Sequence, residues 1–286
     1  MSGIRFGTAG QSESFKKMGY KSSLDVPAYT ASFGLNAFEY QCGRGVRLGT
    51  EKAVQMAAAA AAHGVLFSVH APYYISMSSL EEEKRLHSID YLLQSCRCVQ
   101  DLGGRRVIFH SGSCGKQSRE EALRKAVDTL QRAQEAVDAA GYGHLTLCPE
   151  TMGKVGQLGD LDEVLSLCQV DERITPCIDF GHLNARDQGI IKGKAEYAQI
   201  LDKMADRLQD ERASRFHVHF SKIEYTAGGE KQHQTFADTV FGPDYEPLME
   251  LCWERGLEPV IICESAGTQA EDARTMMLYY QSLAKG

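Results

Sequence analysis

Short β-rich runs alternate with longer amphipathic stretches eight times along the chain, which predicts an α/β fold, a (β/α)8 TIM barrel with a parallel sheet closed on itself. Two further observations agree. The chain has 286 residues, 43% of them hydrophobic, enough for the core of a single barrel, whose usual size is ~250 residues. Histidines and carboxylates recur at the C-terminal ends of the runs, the end where such barrels carry their sites.

The expected strands are "IRFGTAG" (4–10), "AFEYQCG" (37–43), "LFSVHAP" (66–72), "RVIFHSG" (106–112), "LTLCPET" (145–151), "TPCIDFG" (175–181), "RFHVHFS" (215–221) and "PVIICES" (259–265). Between them, apolar periodicity predicts helices over 49–64, 118–141 and 245–256, the middle one opening with a Ser118-x-x-Glu121 capping box. No Gly/Pro/Ser-rich linker or repeat divides the chain, so residues 1–286 read as a single domain. An open doubly wound sheet is the alternative, but neither G-x-G-x-x-G nor a P-loop follows a strand.

The nine cysteines are scattered without a C-x2-C pair and read as reduced core thiols. A net charge of −7 and a pI near 5.7 argue against a broadly basic nucleic-acid binder. No apolar run approaches the ~20 residues of a membrane span, and the N-terminus lacks the features of a secretory signal. These point to a cytoplasmic chain with no membrane partner, and no segment marks an obligate protein partner.

What stands at the strand ends carries the chemistry. Strand three ends with His70, strand four with His110, strand five with Glu150, strand six with Asp179 and His182, strand seven with His217 and His219, and strand eight with Glu264. Any one of these histidines alone reads as a hydrogen-bonded structural residue. Together, several carboxylates in one cavity would repel each other and shift to neutral forms unless cations intervened. Mixed imidazole and carboxylate donors suit zinc or manganese, and a multinuclear metal site follows. The stretch "RFHVHFSKIEYTAGGEKQH" begins as a strand, with His217 and His219 on one face, and ends in a polar loop carrying Glu230 and His233.

These motifs resemble, over nearly the whole chain, the endonuclease IV family (AP endonuclease family 2) of the xylose-isomerase-like barrels. "SVHAPYYI", "VIFHSGS", "CPETMGKVGQLG", "CIDFGHLNA", "FHVHFSK" and "IICES" are similar to the family's segments in that order. The resemblance implies a zinc-dependent apurinic/apyrimidinic endonuclease of base-excision repair, cutting duplex DNA 5′ to an abasic site. By that resemblance, one zinc is held by His70, His110 and a bridging Glu150. A second is held by Glu150, Asp179, a strand-seven histidine and Glu264. The family's His-x-x-x-x-Lys spacing gives His217 before Lys222, with His219 as the alternative. A third takes His182 with Glu230 and His233, where the family has Asp-x-His and this chain reads "EKQH". Glu150 is then also placed to orient or deprotonate the attacking water.

The rim loops carry basic residues, among them Arg44, Lys154, Arg186, Lys222 and Lys231, that suit phosphate contact on an otherwise acidic body. Tyr73 and Tyr74 stand where the family inserts side chains at the lesion, and adjacent aromatics can stack against bases. Two other classes compete. A single-metal sugar isomerase or epimerase of the same superfamily needs only Glu150, Asp179, His217 and Glu264, and leaves His70, His110, His182 and His233 without a ligand role. A non-catalytic barrel that binds nucleic acid or a metabolite is the third.

Overall fold

Parallel strands covered on both faces read as near-continuous apolar runs, and each of the eight runs expected from the sequence forms a strand. The computed structural model describes residues 3–284. Its strands are β1 (Arg5–Ala9), β2 (Ala37–Gln41), β3 (Leu66–His70), β4 (Arg106–Phe109), β5 (Thr146–Pro149), β6 (Cys177–Asp179), β7 (His217–Phe220), β8 (Lys222–Thr226), β9 (Gly229–Gln234) and β10 (Val260–Cys263). Eight of them pair in the order β5-β4-β3-β2-β1-β10-β7-β6, all parallel. The ends of this sheet, β5 and β6, meet at a backbone bridge between Glu150 and Cys177, where Thr151 N–H donates to the Cys177 carbonyl at 3.0 Å. The barrel is thus nearly closed, and one of the site residues sits on its seam.

The helices that lie between the strands cover the barrel from outside. The expected 118–141 helix runs Arg119–Ala139 and starts from the Ser118/Glu121 capping box, both of whose bonds form. The 49–64 helix runs Thr50–His63 and ends on Gly64, whose φ of 69° favours a residue without Cβ. Alternation along each strand then sorts the side chains. Val218 and Phe220 of β7 join Phe67, Phe109 and Phe216 in the large core between barrel and helices. The barrel interior holds two small apolar clusters, Ala37 with Val260 and Ile262, and Ile108 with Cys148 and Cys177. Toward the strands' C-terminal ends the interior turns polar. All nine cysteines are buried and unpaired, as their scattered spacing implied. Among the described residues no helix is long and apolar enough to cross a membrane.

One segment differs from expectation. The polar loop after strand seven is an antiparallel hairpin, β8 with β9, turning at Ala227–Gly228 between the paired Thr226 and Gly229. Its second strand, GEKQHQ, is polar throughout, and the first, KIEYT, has only Ile223 and Tyr225 as apolar positions, too short an alternation to announce a strand.

The loop after β5 is clamped from the helix side. Arg119 pairs with the buried carboxylate of Glu163 through Nε at 2.8 Å and donates to the Val155 and Gln157 carbonyls at 2.9 and 3.1 Å. Glu163 in turn accepts from the Gly159 and Asp160 amides. Arg119→Met removes this partner, and because Arg119 is partly exposed the expected loss is about 1–2 kcal/mol. It should appear as a lower urea midpoint with an unchanged slope.

Candidate metal centre

Interior-facing positions at the top of the barrel bring the expected donors together around Glu150. This carboxylate is buried, and each of its oxygens faces two histidines. Oε2 lies 3.0 Å from His70 Nε2 and 3.2 Å from His110 Nε2, while Oε1 lies 3.1 Å from His219 Nδ1 and 3.2 Å from His182 Nδ1. Asp179 is the N-cap of the helix Phe180–Arg186. Its Oδ1 accepts from the His182 amide at 2.7 Å, and its buried Oδ2 has no hydrogen-bond partner. Glu264 at the end of β10 brings Oε1 to 3.6 Å from His219 Nδ1. Donor atoms of Glu150, Asp179, His219 and Glu264 all lie within 4.8 Å of one another.

The tautomers fix what this cluster can accept. His70 Nδ1–H donates to the Ala71 carbonyl and His182 Nδ1–H to the Thr151 carbonyl, each at 2.9 Å. A carbonyl only accepts, so the neutral rings carry their lone pairs on Nε2. His70 Nε2 faces Glu150, and His182 Nε2 faces Glu230 Oε2 at 3.4 Å. Acceptor therefore faces acceptor, and a proton or a cation must lie between them. Burial disfavours the imidazolium of both rings, yet Glu150 at His70, and Asp179 followed by Glu150 at His182, outweigh it and raise both above the ordinary histidine value. Burial, with Glu264 and Glu150 adding repulsion against the His182 attraction, moves Asp179 up to about 6. Such a basic, lone-pair-rich pocket suits divalent cations, whose binding would displace the protons.

The hairpin supplies a third set. His182, Glu230 and His233 bring donor atoms within 4.8 Å of one another, and His233 Nδ1 is 2.8 Å from Ser221 Oγ. Residues three apart on a regular strand point to opposite faces. Here Tyr225 pairs with Glu230 and Glu224 with Gln232, so Lys231 is an extra residue, a β-bulge. The bulge returns Glu230 and His233 to one face and absorbs the additional residue of "EKQH". Docking is close. Glu230 N–H donates to the Gly153 carbonyl at 3.0 Å, and a Cβ on Gly153 would stand 2.6 Å from Glu230 Cβ and 2.8 Å from His182 Cδ2.

Three readings need correction. His217 points into the barrel with His219, as alternation requires, but one layer deeper. Its Nε2 meets Glu39 at 2.9 Å, and His219 occupies the place beside Glu150 and Glu264 that the Lys222 spacing assigned first to His217. Burial lowers His217 to about 4 despite the Glu39 contact, so it stands neutral. Lys222 is buried and turned away, pairing with Asp244 at 2.9 Å and donating to the Asp238 carbonyl at 2.8 Å. Arg186 is also buried, its guanidinium holding the carbonyls of Met152, Lys154 and Gln157. Glu39 was not singled out in the sequence. Its only signal is a carboxylate in mid-strand within "AFEYQ".

Above the cluster opens a cavity of about 460 Å³, lined by His70, His110, Glu150, His182, Glu230, His233 and Glu264, with Tyr73, Lys154, Gln41 and Gln157 on its walls. Tyr73 and Tyr74 are each half exposed, with ring centroids 5.3 Å apart. Arg44 Nε donates to the Tyr73 hydroxyl at 3.1 Å.

A family model described as "Xylose isomerase-like TIM barrel" matches residues 27–282. The uncharacterized protein MJ0133 of Methanocaldococcus jannaschii is 34% identical over 219 residues, 77% of this chain and 78% of that one. A "Probable endonuclease 4" of Mycoplasma pneumoniae is 28% identical over 182 residues, 62% of this chain and 60% of that protein's length. Among solved structures, a D-tagatose 3-epimerase-like protein superposes with a TM-score of 0.71 at 18% identity, over 99% of this chain and 98% of that one. At that identity the likeness shows the fold alone, and it agrees with the barrel built above. The family expected from the strand-end motifs is the one found: this chain belongs to the xylose isomerase-like TIM barrels and is similar, within them, to probable endonucleases 4.

Proposed function

We propose that the chain is a metal-dependent phosphodiesterase that nicks duplex DNA 5′ to abasic sites. The observation that carries this reading is the surplus of donors. Glu150, Asp179, His219 and Glu264 suffice for one ion, yet His70 and His110 gather on the far oxygen of Glu150, and a bulged hairpin brings Glu230 and His233 to His182. His70, His110 and Glu150 would hold one ion, Glu150, Asp179, His219 and Glu264 a second, and His182, Glu230 and His233 a third. Bound there, zinc or manganese would supply an acidified water, of pKa near ~7, and positive charge for the phosphate oxygens. Glu150, between the first two sets, would orient the attacking water. Lys154 on the cavity wall supplies a cation for the phosphodiester. Tyr73, braced by Arg44, and Tyr74 beside it, both half exposed, present aromatic faces on which bases unstacked at the lesion can rest.

A second reading has its own support. The four donors on β5, β6, β7 and β10, together with the likeness in fold to an epimerase-like protein, suit a single-metal sugar epimerase. It gives no role to the hairpin donors.

Metal content separates the two. Protein supplied with zinc or manganese should hold two to three ions per chain by elemental analysis, and a single ion would favour the epimerase. Duplex DNA with a tetrahydrofuran abasic analogue should be nicked 5′ to the lesion and undamaged duplex left intact. Turnover of a ketose without nicking would reverse the assignment. Gly153→Ala pushes the hairpin off His182, so it should lose one ion while keeping the barrel's circular dichroism. Its nicking rate should fall ~10²–10³-fold, the scale for loss of one electrostatic stabiliser, and an unchanged rate and metal content would remove Glu230 and His233 from the site.

A further inference from the structure

Beneath the cluster, on β2, lies a carboxylate that none of the ligand sets above uses. Glu39 is fully buried, where an ionised group persists only if its oxygens are paired. Its Oε2 accepts from Ser68 Oγ and meets His217 Nε2, each at 2.9 Å, and its Oε1 accepts from Gln41 Nε2 at 3.2 Å. The same Oε1 lies 2.9 Å from His219 Nε2, in ion-pair contact but off the hydrogen-bond line. His219 is therefore held between carboxylates on two sides. Its Nε2 faces Glu39 below, and its Nδ1 is hydrogen-bonded to Glu150 Oε1 above at 3.1 Å, with Glu264 at 3.6 Å, so an ion held there would take the place of the proton they share.

A neutral imidazole has one N–H and one lone pair. With the proton on Nε2, drawn to Glu39, the lone pair of Nδ1 is presented to the carboxylates above; with the proton on Nδ1, the ring presents no donor atom there. Resting on the metal-centre reading above, we infer that Glu39 is a positioning residue that fixes the tautomer and orientation of His219 for an ion held by Glu150, Asp179 and Glu264. His217 and Ser68 hold the carboxylate in place, His217 from the same strand as the ring it orients. A rival arrangement uses the other nitrogen: Cys177, His217 and His219 bring donor atoms within 4.8 Å of one another, so a cation seated among those three would take His219 through Nε2.

The test uses the full chain loaded with ¹¹³Cd after ¹⁵N-histidine labelling. Coupling of cadmium to His219 Nδ1, with a protonated Nε2, is the expected result. Coupling to Nε2 overturns the inference in favour of the deeper trio. Glu39→Gln, of nearly the same shape, should weaken one ion by ~10–100-fold in chelator competition, the usual cost of losing a group that orients a ligand. The cobalt(II)-substituted absorption spectrum should change with it. A Glu39→Gln protein that melts lower but binds cobalt with wild-type affinity and spectrum makes Glu39 a structural carboxylate and overturns the inference. Should that variant fail to fold, the wild-type cadmium spectrum decides alone. Wild-type protein that takes up no ion at His219 overturns the metal-centre reading along with this one, whereas a loaded wild type matched by Glu39→Gln overturns only this one.

Discussion

Everything at the top of the barrel is arranged around one buried carboxylate. Burial alone would push Glu150 toward its neutral form, but His219, His110 and the other surrounding imidazoles outweigh it and hold it well below the usual carboxylate range. Its two oxygens divide four histidines between them, so the group stands where two ligand sets meet. Its backbone also forms the bridge to Cys177 that joins β5 to β6. Closure of the barrel and assembly of the site therefore depend on the same residue. Rigid strands on both sides of the seam hold the donors, a placement that loops alone achieve less well.

Around this centre the protein spends its polar groups on aim. Backbone carbonyls of Ala71 and Thr151 set the tautomers of His70 and His182, the Phe180 helix takes one oxygen of Asp179 and leaves the other for the site, and Glu39 sits beneath His219. Orientation by such outer contacts is the usual support of a metal ligand. The hairpin reaches the same centre from outside. Its approach depends on Gly153 and Gly229, since a Cβ on Gly229 would stand 2.1 Å from the Gly153 carbonyl oxygen, and on the bulge at Lys231 that turns Glu230 and His233 to one face.

Fold likeness does not choose between the chemistries of this family, because function resides in the site that a barrel carries. The donors on β5, β6, β7 and β10 are the part that a mononuclear epimerase would also need. What distinguishes this chain lies at the other oxygen of Glu150 and in the hairpin. The rim is less basic than a reading of its loops suggests, since Arg186 is buried in structural bonds, Lys222 is buried against Asp244 and Lys231 pairs with Glu224. Lys154 and Arg44 remain beside the cavity and its tyrosines.

By itself the sequence determined the eight strands, the Ser118 helix start and the set of donors, because burial on both faces writes strands as apolar runs, a cap needs particular side chains, and His, Asp and Glu at strand ends must face one rim. Only the tertiary structure decided which donors lie close enough together to share a cation. His217 and His219 have the same facing by alternation, and what separates them is depth: the parallel register sets His217 beside Val260 and Cys177 and His219 beside Ile262 and Asp179. Glu39 gains its meaning only when β2 curls round to face β7, a contact spanning 178 residues of chain. The hairpin leaves little trace in periodicity because β9 is polar and β8 offers only Ile223 and Tyr225, and its bulge is a matter of pairing rather than composition. Local pattern records what each side chain is and which way it points, but distance across the barrel arises only on closure.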